Sequence, residues 1–322
     1  MPIGEKIRSS RRLGGALRCQ RQLFIFAVVA SLVLLLCLII RYSHAGLGDQ
    51  LLDGNNDAKY DSYGFFTDIS DKNWELMKAN ARSEPLFLNI SHPEHGSQNG
   101  AIWMMENFDP IFNCLHAKRI GGRGDGGKWV CDPHRLRGKK DCLVYSVGSR
   151  GEYKFEDGLI DFLGNKRQCE IHVFDPDPKF DREINKDKNI VYHSFGLKSS
   201  YRASRTWGGL EFRTIFEVLH LLGHENRRID IFKVDCEGCE WTDYKDWLDK
   251  RVDVRQLLLE THMTVRQGNT TTSELFEAFI DHGFIPFAKE ANTHPAAKPP
   301  GHLFEYGFVR LRASFLDRKK KA

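Results

Sequence analysis

Beyond Cys142 short apolar runs alternate with amphipathic stretches, and this pattern restricts the chain to a largely parallel α/β sheet with helical crossovers. The runs predict strands at 143–147, 170–174, 190–193, 229–234 and 256–261, and helices near 155–164, 212–222, 241–250 and 273–282. Two further strands, 283–288 and 304–311, are separated by a loop containing Pro295, Pro299 and Pro300 but no helical pattern. They should therefore close the sheet edge as an antiparallel pair. Five βα units ended by such a pair outline a Rossmann-like sheet of seven strands.

Ligands of such sheets bind at the carboxyl ends of the strands, where a tight turn lets them approach the backbone. After the first strand the turn reads Val147-Gly148-Ser149-Arg150-Gly151, and the second strand ends on Asp175, 27 residues beyond Gly148. This order of strand, glycine turn and carboxylate suits a nucleoside-bearing ligand, its ribose hydroxyls on Asp175. A glycine pair alone would fit any strand-to-helix turn. No G-x-x-x-x-G-K-[ST] segment is present for a triphosphate. The fourth strand ends in Lys233-Val234-Asp235-Cys236-Glu237-Gly238-Cys239-Glu240, and the fifth in Glu260-Thr261-His262. Carboxylates and an imidazole thus reach the same edge. Asp235 and Glu237 are suited to orient a polar acceptor or hold a metal. His262 is the best general base by its ordinary pKa. Glu240 and Glu260 read as caps or sheet-edge hydrogen-bond partners. No metal site is assigned from these residues.

The stretch Lys233 to Glu240, with Glu260 and His262, resembles the K-x-D-x-E-G-x-E and E-x-H segments of FkbM-type methyltransferases. Together with Asp125-Gly126-Gly127-Lys128-Trp129-Val130-Cys131 and Val144-Tyr145-Ser146-Val147-Gly148-Ser149, it is similar to the methyltransferase-like protein 24 group of membrane-anchored proteins, over residues 103–312. That resemblance implies a class I methyltransferase fold. It also implies S-adenosyl-L-methionine bound at Gly148, Ser149, Gly151 and Asp175, and transfer to an oxygen or nitrogen near Asp235, Glu237 and His262. Arg150 departs from the usual glycine of the turn. Methyl transfer is an in-line displacement at a sulfonium carbon, so alignment supplies much of the rate. A base is needed only for a hydroxyl or protonated amine.

The amino-terminal half adds a location. The run from Leu23 to Ile40 has no charge and is long enough to span a bilayer. Lys6, Arg8, Arg11, Arg12, Arg18 and Arg21 precede it, whereas Asp49, Asp53 and Asp57 follow Arg41. The positive-inside rule then leaves residues 1–22 in the cytosol. Residues 23–41 read as a signal-anchor, 42–71 as a stem of low order, 72–139 as an N-terminal extension with helices around Trp74 and Met104, 140–312 as the methyltransferase domain, and 313–322 as a basic tail. The domain should face the lumen of the Golgi or endoplasmic reticulum, acting on an unknown lumenal acceptor. Ser43 and Ala45 leave open a cleaved signal peptide. Asn89-Ile90-Ser91 and Asn269-Thr270-Thr271 are glycosylation acceptors. A net charge of +4, concentrated at the termini, implies no nucleic-acid face.

Six of the eight cysteines follow the apolar run, and six allow fifteen pairings. If the strands take the order 3-2-1-4-5-7-6, Cys142 and Cys169 begin neighbouring strands and can pair. Cys114 with Cys131 would then close the glycine-rich segment. Cys236-Glu237-Gly238-Cys239 reads as a disulfide or as small buried thiols; Glu237 and Glu240 oppose a reactive thiolate there. Two other functions fit: a lumenal glycosyltransferase using Asp175-Pro176-Asp177 with a metal, and an interaction module that keeps the fold without turnover.

Overall fold

The computed structural model describes residues 57–86, 103–181, 189–202, 206–262, 270–292 and 303–317. The Leu23 to Ile40 run, Asn89 and Asn269 lie outside these. No helix among the described residues is long and apolar enough to cross a membrane.

The first described elements are α1 (Asp57–Asp61) and α2 (Asp71–Ser83), the latter started by the Ser70 hydroxyl, which accepts from Asn73 N–H. A ribbon of β1 (Lys118–Ile120) and β2 (Lys128–Val130) follows. The main sheet contains β3 (Cys142–Val147), β4 (Cys169–Phe174), β5 (Ile190–His193), β9 (Ile231–Val234), β10 (Gln256–His262), β11 (Phe284–Ala291) and β12 (Leu303–Arg310). Its order is β11-β12-β10-β9-β3-β4-β5. Counted along the chain and read from the β5 edge this is 3-2-1-4-5-7-6, with β12 antiparallel to both neighbours and the rest parallel. The connecting helices are α3 (Lys154–Leu163), α4 (Ile215–Leu222), α5 (Glu240–Trp247) and α6 (Thr272–Asp281).

Side chains alternate between the two faces because the strand period is two. Leu143, Tyr145 and Val147 point to the face that Ile215, Val218, Trp241, Phe276 and Phe279 of α4, α5 and α6 cover. Cys142 and Val144 point to the other, where α3 supplies Phe155, Leu159 and Ile160. That second face is too wide for one helix. Trp74 of α2 packs in the same core with Phe66, Phe112 and Phe315, the Trp74 indole donating to Asp61 Oδ2 at 2.8 Å. Arg255, at the foot of β10, donates to the carbonyls of Ser62 and Tyr63. Residues 57–69, expected in a stem of low order, are therefore folded, and Phe315 of the expected tail is fully buried. Asn56–Ala322 behaves as one compact unit.

A second correction concerns 212–214. Leu210–Arg213 is a strand, β8, in a small sheet with β6 (Gly196–Leu197) and β7 (Thr206–Trp207). The helix starts at Ile215, because the Thr214 hydroxyl accepts from Glu217 N–H while the Glu217 carboxylate takes the Thr214 N–H. Disulfides join Cys142 to Cys169, Cys114 to Cys131, and Cys236 to Cys239. The first pair matches the register, in which these two residues face each other.

Candidate active site

On the two sides of β3 the chain winds in opposite directions, first to β4 and later to β9. The carboxyl end of β3 is thus the switch point at which open α/β sheets bind ligands. Gly148 sits there with φ +77°, and a Cβ on it would lie 1.6 Å from the Asp235 carbonyl oxygen. Glycine is required by the neighbouring strand as much as by any ligand. Its N–H donates to Phe174 O, and Ser149 and Arg150 both donate backbone N–H groups to Asp175 Oδ2, at 3.0 and 2.8 Å. Asp177 N–H donates to Asp175 Oδ1 at 3.1 Å. Three backbone N–H groups on its carboxylate make the buried Asp175 the brace of the turn. Gly151, at φ +78°, lies under the Phe180 ring. A glycine turn at the switch point and a carboxylate closing the next strand fit a nucleoside-bearing donor.

The same edge gathers a charged cluster that is larger than the sequence motifs foretell. Lys128 of β2 is 1% exposed, and its ammonium lies 2.6 Å from Glu305 Oε1, 3.3 Å from Asp235 Oδ2 and 3.5 Å from Glu260 Oε2. The ribbon is docked by Gln256, whose buried amide accepts from Cys131 N–H and donates to Cys131 O. Asn292 donates to Glu260 Oε1 at 2.8 Å. Burial works against ionisation of Asp235, yet Lys128 and Lys233 beside it hold its carboxyl well below the usual range. Glu260 and Glu305 are pushed upward by burial and by the Asp235 charge. Three carboxylates thus crowd around the Lys128 ammonium, and each works against the ionisation of its neighbours.

His262, at the end of β10, is buried beside Asp235, and its Nδ1 is 3.1 Å from Glu240 Oε1. Burial disfavours its charge, but the Glu240 hydrogen bond and the neighbouring carboxylates raise it to about 9. An imidazolium at neutral pH cannot take up a proton, so this environment works against the general-base role expected of His262 from its ordinary pKa. Glu240 is more than a helix cap, since it also accepts from the His262 and Gly238 N–H groups. Glu237, in the left-handed region at φ +55°, stands at the solvent side and pairs with Arg150 at 3.0 Å. The structure thus brings Asp235, Glu237 and His262 together, and adds Lys128, Glu240, Glu260 and Glu305. Lys128 lies in the Asp125 to Cys131 segment that carries the resemblance, with no role read for it there, and Glu305 was signalled only as a single charge within the apolar strand Phe-Glu-Tyr-Gly-Phe-Val.

A model describing a methyltransferase domain matches residues 56–310. The chain belongs to this methyltransferase family. No curated protein matches the sequence. The match starts where the described fold of the methyltransferase starts, so α1, α2 and the β1–β2 ribbon are parts of the domain. Lys128 on that ribbon is likewise part of the domain's own site.

A second buried cluster lies beneath β4. His172 Nε2 is 2.9 Å from Glu170 Oε1, its Nδ1 is 2.8 Å from His193 Nε2, and Tyr145 OH is 2.7 Å from His224 Nδ1. Arg227 donates to Glu170 at 2.6 Å and to His224 Nε2 at 2.9 Å. Glu170, His172 and His224 have ligand atoms close enough to share a metal. Arg227 already supplies the cation, and hydrogen bonds occupy the nitrogens. Burial lowers all three histidines, His193 to about 4, while Glu170 is held at about 2 by Arg227 and His172 against its own burial. Between pH 6.5 and about 4 the unfolded chain then binds protons that the folded methyltransferase refuses, so stability falls as pH falls through that window. Glu170 stays ionised there and does not offset the loss. Denaturant melts at pH 7.5 and 5 should differ by about 1–2 kcal/mol less in His193→Asn than in the wild type. An equal pH effect in both proteins would show that His193 charges freely in the fold.

Proposed function

We propose that the protein is an S-adenosyl-L-methionine-dependent methyltransferase of the FkbM-related, methyltransferase-like protein 24 type, anchored through Leu23 to Ile40 and facing the secretory lumen. The observation that carries the donor assignment is the braced turn at the switch point, Gly148 to Gly151 on the Asp175 carboxylate. The family match supports methyl transfer, and three disulfides support an oxidising compartment. When bound, the donor supplies an electrophilic methyl group on a sulfonium. Gly148, Ser149, Gly151 and Asp175 hold its nucleoside. Asp235, kept ionised by Lys128, orients the acceptor and takes hydrogen bonds from it. His262 is fixed by Glu240 beside that carboxylate, and Glu237 and Arg150 form the solvent-side rim.

The glycosyltransferase reading is weaker, because Asp175 is committed to the turn and the Asp177 carboxylate to Lys179. Calorimetry on the detergent-solubilised full chain separates the two. S-adenosyl-L-methionine should bind without added metal, and Asp175→Asn should weaken it by roughly 10-fold or more, as for loss of a hydrogen bond to a charged group. Binding of a sugar nucleotide with manganese, and none of S-adenosyl-L-methionine, would refute the methyl-donor assignment.

A further inference from the structure

His262 is presented to the site in one orientation. Its N–H donates to Glu240 Oε1 at 2.7 Å, and its Nδ1 lies 3.1 Å from the same oxygen, so Nδ1 carries a proton, which the carboxylate can only accept. Glu240 is fully buried and further fixed by Gly238 N–H. The other ring nitrogen, Nε2, then faces Glu237 Oε2 at 3.6 Å and Asp235 Oδ1 at 3.9 Å. At neutral pH that nitrogen holds a proton between two carboxylates, and a divalent cation at the same point, attracted by both carboxylates, would take the proton's place on the ring. Lys128 meets Asp235 through the opposite oxygen, Oδ2, and Glu260 through Oε2 at 3.5 Å, so it stands beside this point and not on the imidazole.

We propose that Asp235, Glu260 and His262 form a divalent-cation site, with Glu240 as the positioning residue that fixes the imidazole. One ligand atom from each of the three lies within 4.8 Å of the other two, and bonds of about 2.0–2.3 Å need only small side-chain movements to converge. A carboxylate on the far nitrogen is the usual support of a metal-bound imidazole. A second observation points the same way: Glu305 Oε2, buried against the cluster, has no hydrogen-bond partner among the described residues, and Glu305 shares with Glu260 and Asp125 a further set of converging oxygens. One imidazole among carboxylates suits manganese, which accepts both ligand types. The open side lies toward Glu237, so an acceptor hydroxyl can complete the coordination; that role rests on the methyl-donor reading, whereas cation binding does not.

The test is titration of the full chain with Mn(II) alone, read by electron paramagnetic resonance. One Mn(II) per chain should bind, with nitrogen hyperfine coupling from His262. His262→Ala and Asp235→Asn should each weaken binding at least ~10-fold, and Glu240→Gln by about 10–100-fold. If these variants fail to fold, the nitrogen coupling in the wild type decides alone. No stoichiometric binding, or bound Mn(II) without nitrogen coupling, overturns the site. S-adenosyl-L-methionine binding measured on the same sample separates the two ideas: donor binding without Mn(II) binding sinks only the cation site. Mn(II) bound with nitrogen coupling but no donor binding supports the site and sinks the donor reading.

Discussion

Lys128→Met should destabilise the folded domain by about 3–5 kcal/mol at pH 7.5, the cost of stranding buried charge after removing its partner. For a domain of this size that is a fall in Tm of roughly 10 °C. The ammonium is the cation within 3.5 Å of Glu305, Asp235 and Glu260, and methionine fills the same space without charge. The loss should depend on pH in a direction opposite to ordinary acid denaturation. Without Lys128 the three carboxyls bind protons more tightly folded than unfolded, so the variant gains stability relative to the wild type as pH falls from 7.5 toward 5. Thermal melts across that range check both sign and size. An unchanged Tm at pH 7.5 would mean that the carboxylates are solvated or already neutral.

Asp235→Asn should lower turnover by about 10³-fold while leaving donor affinity within about threefold, the pattern of a group whose interactions strengthen in the transition state. Asp235 follows β9, next to the glycine turn, and is 17% exposed, so it can reach an acceptor while still touching Lys128. Asparagine keeps the shape but loses the charge. The assay is formation of S-adenosylhomocysteine with lumenal extract as acceptor source, alongside calorimetry with the donor. Turnover retained in Asp235→Asn and also in His262→Ala would place the acceptor elsewhere, toward Asp125 to Trp129.

The sheet strands were legible because each is a short apolar run whose alternate residues serve two cores. The expected 190–193 coincides with β5, and 143–147 lies within β3. Even the Cys142–Cys169 pairing followed, since disulfide geometry demands adjacency and the sheet order supplies it. The start of α4 was misplaced although its capping box, Thr214 and Glu217, is plain in the sequence. Phe212 joined the helical pattern by hydrophobicity alone, and the Gly208-Gly209 turn before it was the stronger sign of a hairpin. Residues 57–69 looked loose because Gly, Asp and Asn dominate the chain just before them, and burial of Phe66 against Trp74 is a contact between elements with no local signature.

The candidate site divides in the same way. Sequence alone determined which residues end β3, β4, β9 and β10, and strand ends at the carboxyl edge of a parallel sheet necessarily meet there. It thereby named Gly148, Asp175, Asp235, Glu237 and His262. Only the tertiary structure decided the charge states of Asp235 and His262. Lys128 enters from a ribbon more than a hundred residues before Asp235, docked by Gln256, and Glu305 enters from a strand that runs against the others. A pKa depends on how much water is excluded and which charges stand within a few ångströms, and neither quantity is written in the order of residues along a chain.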